Sequence, residues 1–151
     1  MTVRFSILGP LAVRDGAGRP VAVGGTRLRR LLALLLLAPG RTVGTERLID
    51  GIWGSDAPSG AGNALQALVS RLRKVLGDQA LVVGDASGYR LEVDPEQIDL
   101  WRFEDLVRQG RRARARGAAA EAADLLGRAL ELWRGDPLPE FAEAGGEGEA
   151  V

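Results

Sequence analysis

Amide, hydroxyl and cationic side chains recur along residues 63–77 at the spacing of one helix side. The apolar residues of this segment form a stripe at about 100° per residue, so the polar ones share the opposite side. Cations bind phosphates or guanine edges, amides and hydroxyls reach base edges or phosphates, and a small alanine allows close approach or contacts a thymine methyl. The predicted DNA-binding residues of this helix are Asn63, Gln66, Ala67, Ser70, Arg71 and Lys74, with Arg73 nearer the core boundary.

A helix of this length, roughly 22 Å, fits a major groove. The same pattern also describes an amphipathic helix whose polar side is merely solvated. The preceding segments favour the first interpretation, because a helix predicted over residues 45–53 ends at Gly54 and a Pro/Gly/Ser-rich loop follows. This order indicates a helix-turn-helix, although the loop is longer than the usual turn of about three or four residues.

A β-hairpin is predicted directly after this helix, with strands over residues 80–84 and 89–93 and a polar turn between them. A hairpin in this place is the wing of a winged helix. Its Ser87, Gly88 and Arg90 are predicted to contact the adjacent minor groove or the DNA backbone. The pattern also fits an ordinary hairpin that closes a core.

Three short strands, over residues 3–8, 11–14 and 20–23, predict an antiparallel sheet at the N-terminus. A Leu-rich core helix follows, with Thr26 as its expected N-cap and with Arg27, Arg29 and Arg30 in its first turns, facing phosphates or only water. For the helix at 63–77, Asn63 and Gln66 are expected to form a capping box, and Gly77 is expected at its C-terminal end.

The pattern after residue 94 is entirely helical, with helices predicted over residues 100–116 and 118–134 on either side of Gly117. Such a pair resembles one tetratricopeptide unit, which cannot bury its apolar side alone. The Gly- and Glu-rich residues 142–151 are predicted to be a disordered tail. The predicted organisation is a winged-helix domain over 1–94, a helical domain over 98–141 that is incomplete, and the tail.

Composition narrows the possible functions of the 151 residues. The chain has no His and no Cys, so it lacks the commonest general base, the commonest metal ligand and any thiol nucleophile; we expect no enzyme, metal site or cofactor. No signal peptide is recognisable in MTVRFSILG, and no apolar run is long enough to span a bilayer, so a cytoplasmic protein is expected. Residues 1–94 carry 12 Arg and Lys against 8 Asp and Glu, and the remainder carries 8 against 12.

Six stretches cover most of residues 3–141: FSILGPLAV from Phe5, LRRLLALLLLAPGRTV from Leu28, LIDGIWG from Leu48, ALQALVSRLRKVLG from Ala64, SGYRLEVDPEQIDLWRFEDLV from Ser87 and ALELWRGDPLPEF from Ala129. In this order and with these gaps they resemble the Streptomyces antibiotic regulatory protein family. The last stretch is typical of that family's bacterial transcriptional activator domain.

The resemblance implies an α+β fold: an OmpR-type winged helix-turn-helix, with an N-terminal antiparallel sheet, three helices and a C-terminal hairpin wing, followed by an all-α TPR-like helical pair. It also implies a transcriptional activator of an antibiotic biosynthetic gene cluster. Such a protein would bind direct repeats in double-stranded DNA, a second copy lying head to tail, and recruit RNA polymerase. No receiver domain or P-loop is recognisable, so two-component phosphorylation control is not expected.

A second hypothesis has a different class of partner. The acidic helical part could belong to a truncated protein-interaction module that pairs with a full-length regulator. Salt-dependent retention by promoter DNA would distinguish the two hypotheses, because an interaction-only module would show none.

Overall fold

The computed structural model describes residues 2–139 and residue 141, so the predicted tail lies outside the described residues. The elements are β1 (Arg4–Ser6), β2 (Ala12–Arg14), β3 (Pro20–Val21), α1 (Thr26–Leu36), β4 (Val43–Gly44), α2 (Thr45–Trp53), α3 (Ala61–Leu76), β5 (Val82–Gly84), β6 (Gly88–Leu91), α4 (Asp99–Ala115) and α5 (Ala119–Glu131). This is the predicted α+β architecture: a sheet, three helices and a hairpin, then a helical pair.

Two small antiparallel sheets flank the three helices. The first has the order β1-β2-β3, and the second has the order β4-β6-β5. In the second sheet the hairpin strand β6 is central and the hairpin strand β5 lies at one edge. Strand β4 was not predicted, because two residues are too few to show an alternating pattern. It pairs Val43 with Tyr89 and Gly44 with Gly88, so it attaches the hairpin to the start of α2.

The main core is built around α1 and the apolar side of α3. Its largest fully buried side chains come from the three helices and from strands β1 and β6, and include Phe5, Leu28, Leu31, Leu32, Leu35, Leu36, Leu48, Ile52, Leu65, Leu72 and Leu91. Burying this much apolar surface against several elements fixes the orientation of α3. Its polar side is therefore turned to solvent.

Both predicted N-caps are wrong. The N-cap of α1 is Gly25, whose φ of 89° brings the chain into the helix, so Thr26 is already the first helical residue. Helix α3 begins after Gly60, which adopts the left-handed conformation, and no side chain caps it. Asn63 and Gln66 therefore lie inside the helix and form no capping box; their side chains remain exposed.

The C-terminal end of α3 is as predicted. Gly77 adopts the left-handed conformation at φ 73°, and its N–H donates to the carbonyls of Arg73 and Lys74. This ending turns the chain back toward the hairpin.

Helices α4 and α5 form a hairpin with a small core of their own. Gly110 is buried because α5 passes so close that an added Cβ would lie 2.8 Å from Leu126 atoms. The core of this pair consists of Ala113, Ala122 and Leu125, with Leu106 and Ala118 against it. Two helices alone can bury only this narrow stripe.

Helix α5 has more apolar residues than it buries. Ala119, Ala123 and Leu130 are exposed, whereas Ala122, Leu125 and Ala129 are buried. The physical reason is that α5 packs mainly against one helix, α4, so residues at the edges of its apolar stripe meet solvent.

The start of α4 packs into the main core, so packing is continuous across the predicted domain boundary near residue 94. Ile98 is buried in the main core and forms a parallel bridge with Phe5. The Asp99 carboxylate, also buried, accepts hydrogen bonds from the N–H groups of Ile7 at 2.8 Å and Leu8 at 3.1 Å. These bonds satisfy the carboxylate, which would otherwise be costly to bury.

The segment after α5 donates hydrogen bonds to the turn between β1 and β2, which also contains Ile7 and Leu8. The Arg134 N–H donates to the carbonyl of Leu8 at 2.8 Å, and its Nη2 donates to the carbonyl of Pro10 at 2.7 Å. The Leu138 N–H donates to the carbonyl of Gly9 at 3.1 Å. The turn between β1 and β2 is therefore held by both ends of the helical pair.

Candidate nucleic-acid interface

Helix α3 presents the predicted polar side to solvent. Its buried residues are Leu65, Leu68, Val69 and Leu72. The exposed residues on the opposite side are Asn63, Gln66, Ala67, Ser70, Arg71 and Lys74. This surface, which we call the α3 face, has a small centre at Ala67, cations toward its C-terminal half and no acidic residue.

Arg73 differs from its neighbours on α3. It is half-buried, and both its Nε and its Nη2 donate to the carbonyl of Val82 in β5, at 3.0 and 2.8 Å. The structure therefore places this predicted DNA-binding residue between α3 and the hairpin. Sequence spacing put it near the core boundary but gave no sign of its partner.

The hairpin turn is organised by Asp85. Its carboxylate accepts from the Ser87 Oγ at 2.6 Å, the Ser87 N–H at 2.7 Å and the Gly88 N–H at 3.2 Å. The Ser87 hydroxyl first, then these backbone donors, hold the pKa of Asp85 below its ordinary value. Ser87 is exposed as predicted, but its hydroxyl proton is already donated within the turn.

Gly88 does not lie at the tip of the hairpin. It is buried where β6 crosses β4, pairs with Gly44, and an added Cβ would lie 2.0 Å from the carbonyl oxygen of Val43. A residue in this place cannot contact DNA directly, so its predicted contact is corrected to a structural role. Only glycine permits so close an approach of two strands.

Arg90 lies on β6 and is partly exposed. Its Nε donates to the Glu92 Oε1 at 2.8 Å, in a pair that is open to solvent on both sides. An exposed pair of this kind contributes little stability and is easily exchanged for another anion. Arg90 therefore still has donors that could face a phosphate.

A cleft of about 740 Å³ lies beside the α3 face, between α3, the start of α1 and the loop after α2. Trp53 and Leu68 contribute apolar walls, and three arginines, Arg27, Arg30 and Arg71, line it. No acidic residue is among its lining residues. The cleft extends the cationic surface beyond α3 itself, and sequence spacing alone did not connect these three arginines.

Two first-turn arginines of α1 have backbone partners. Arg29 donates to the carbonyls of Val23 and Leu11, and Arg30 donates through Nη1 to the carbonyl of Ile52. These bonds join α1 to the first sheet and to α2. The guanidinium groups of Arg29 and Arg30 thus support the fold, and Arg30 also lines the cleft.

Other classes of site find no support in the described part of the chain. Residues 2–139 and 141 contain no group of three or more His, Cys, Asp or Glu side chains that could hold a metal ion. No helix among them has the length and apolar character that crossing a membrane requires.

Known proteins match the chain over both of its regions. Residues 19–91 match the family model described as transcriptional regulatory protein, C terminal, and residues 98–150 match the bacterial transcriptional activator domain. Regulatory protein AfsR of Streptomyces coelicolor is 44% identical over 138 residues, covering 90% of this chain and 14% of AfsR. Transcriptional regulator RedD of the same organism is 36% identical over 148 residues, covering 93% of this chain and 42% of RedD.

A solved structure agrees with these matches. Mycobacterium tuberculosis EmbR, in complex with a low affinity phosphopeptide, superposes with a TM-score of 0.87 at 34% identity, over 93% of this chain and 38% of the EmbR chain. The chain thus spans less than half the length of each of these relatives. With its OmpR-type domain and activator domain in this order, the chain belongs to the Streptomyces antibiotic regulatory protein family, and the relatives named here are regulatory proteins.

Proposed function

We propose that the chain binds double-stranded DNA sequence-specifically, with the α3 face in a major groove and the hairpin turn at the adjacent minor groove. The observation that carries this proposal is the α3 face itself: six exposed residues with amide, hydroxyl and cationic groups and no acid. Amides and guanidinium groups at this spacing match the hydrogen-bonding edges of bases. The rigid core beneath fixes their geometry.

The cleft beside α3 supports a path for the DNA backbone. Arg27 and Arg71 line it, and Lys74 lies one turn of helix beyond Arg71. Arg71 lies at both the cleft and the α3 face, so it serves either a guanine edge or the flanking phosphate. Phosphate contacts position the protein and supply most of its affinity, whereas base contacts supply sequence preference.

The regulatory part of the proposal concerns what happens on DNA. We propose that two copies occupy direct repeats head to tail, that they recruit RNA polymerase to the promoter, and that the controlled genes form an antibiotic or other secondary-metabolite cluster. The support is family membership. Head-to-tail contact uses two different surfaces and does not close into a ring, so DNA would limit the number of copies.

Selection of bound sequences from a random double-stranded DNA pool tests this function. We expect an enriched motif that occurs twice in the same orientation, with its copies about one helical turn, or about 34 Å, apart. Insertion of about half a turn between the copies should abolish cooperative binding, and insertion of a full turn is the matched control. Enrichment of inverted repeats, or cooperativity that survives the half-turn insertion, would exclude the head-to-tail arrangement.

A second function, that of a protein-interaction module, is favoured by exposed apolar side chains at and just beyond the end of α5. Leu130 is 67% exposed and Trp133 is 39% exposed. Large exposed apolar side chains of this kind mark contact surfaces when they cluster. If the chain acts only through protein contacts, the random pool should return no enriched motif and binding to DNA should not depend on salt.

A further inference from the structure

The carbonyl of Val82 lies on the free edge of the hairpin. Strand β5 is an edge strand, and bonds between antiparallel strands alternate along the pair. The Asp85 N–H donates to the carbonyl of Gly88, and the Glu92 N–H donates to the carbonyl of Leu81. By this alternation the backbone groups of Val82 face away from β6. Val82 itself is 1% exposed, so its carbonyl needs a partner within the protein.

Arg73 is that partner. Its two donors reach the Val82 oxygen from α3, nine residues earlier in the chain. The bond crosses the turn that begins at Gly77, so it ties the second half of α3 directly to the first strand of the hairpin. The opposite edge of the hairpin is held separately, by pairing of β6 with β4 and by the bond from the Gly40 N–H to the carbonyl of Leu91.

We infer that Arg73 is a positioning residue, which fixes the angle between α3 and the hairpin so that both reach one DNA duplex. This inference rests on the proposed DNA contact of the hairpin. Its neighbour Lys74 has the opposite role. Lys74 is exposed on the α3 face, whereas Arg73 directs its guanidinium group away from that face to a backbone carbonyl.

The two possible roles of Arg73 depend on different properties of its side chain, namely its charge and its ability to donate a hydrogen bond. If Arg73 neutralised a phosphate, any neutral replacement would remove that contact and lower the salt dependence of binding. If Arg73 acts through the Val82 carbonyl, a neutral side chain that still donates a hydrogen bond should retain much of its effect. Gln and Met at this position provide the comparison, because both are neutral and similar in size, and only Gln donates.

The test uses the full chain with a DNA site selected from the random pool. Affinity is measured over a range of salt concentrations, hydroxyl-radical footprints are recorded on both strands, and thermal unfolding without DNA is followed for every variant. Arg73→Met should lower affinity by about tenfold and lose protection at the hairpin end of the footprint, together with any phosphate contact that Arg90 makes there. Arg73→Gln should retain most of the affinity and the protection.

Lys74→Met is the matched control and should lower the salt slope by about 1 with the footprint shape unchanged. If Arg73→Met does not stay folded, Arg73→Gln decides through its salt slope. A slope equal to that of the wild type supports positioning, and a slope lowered by about 1 overturns it. Hairpin-end protection that persists in folded Arg73→Met also overturns it. If the wild type lacks that protection, the hairpin contact of the proposed function fails, and the inference fails with it.

Discussion

Helices α3 and α5 have similar amphipathic patterns but different surroundings. Helix α3 packs against α1, α2 and the hairpin, and its apolar stripe is buried from Leu65 to Leu72. Helix α5 packs mainly against α4 and leaves Leu130 exposed, and Trp133, just beyond its end, is exposed as well. This difference indicates that the exposed side of a helix can be interpreted as a contact surface only where its opposite side is fully buried. The polar face of α3 is therefore interpretable as a contact surface, while the apolar side of α5 is partly exposed.

The largest difference should appear when one leucine is removed from each helix. Leu72 is fully buried in the main core, so Leu72→Ala should cost about 2–5 kcal/mol of unfolding free energy through the cavity it leaves. Leu130→Ala, on α5, should change stability by no more than about 0.5 kcal/mol because Leu130 is mostly exposed. Urea unfolding measures both. Equal losses would contradict the comparison, and a Leu72→Ala chain with unchanged stability but no DNA binding would mean that α3 faces the other way.

A smaller effect is expected at the junction between the two regions. Asp99→Ala should leave the buried N–H groups of Ile7 and Leu8 without their acceptor, which costs about 1–3 kcal/mol. It should also loosen α4 from the first sheet, so limited proteolysis should cleave near residues 94–98 earlier than in the wild type. Glu104→Ala, at an exposed position on the same helix, is the control. A variant as stable and as resistant as the control would show that the junction is held by other contacts.

The smallest effect concerns the exposed surface of the helical pair. The rings of Trp133 and Phe103 meet edge to face, with centroids 5.5 Å apart. Trp133→Leu keeps an apolar side chain but removes the ring pair, and should cost about 0.5–1.5 kcal/mol of unfolding free energy. Leu130→Ala serves again as the control. It is a better match than Leu132→Ala, because Leu132 is half-buried. A loss above that range would mean that Trp133 contributes to the main core.

The elements of the winged helix other than β4 could be predicted because each of them is dominated by a local pattern. Residues Thr45–Trp53 form α2 over the predicted range, and Gly77 ends α3 as expected. The outward direction of the α3 face also follows from its sequence, because the stripe opposite to it is almost purely aliphatic. The family resemblance added the order of the domains.

What could not be predicted depends on partners that are distant in the chain. Nothing local to Arg73 indicates the Val82 carbonyl, and nothing local to Gly88 indicates the passage of β4. Asp99 lies more than 90 residues from the two N–H groups that it binds. The extent to which the apolar side of α5 stays exposed could not be predicted for a related reason, since helical periodicity shows which residues are apolar but not how many neighbours will cover them.

The salt dependence of DNA binding by the α3 face tests the central claim most directly. Lys74→Ala should leave stability unchanged, weaken binding to all DNA sequences and lower the salt slope by about 1. Arg71→Ala should cost roughly 1–3 kcal/mol, confined to one base position if Arg71 reads a guanine. Arg111→Ala, which removes an exposed cation from α4, should change neither quantity. Wild-type affinity and slope in both α3 variants would contradict the account and remove α3 from the DNA interface.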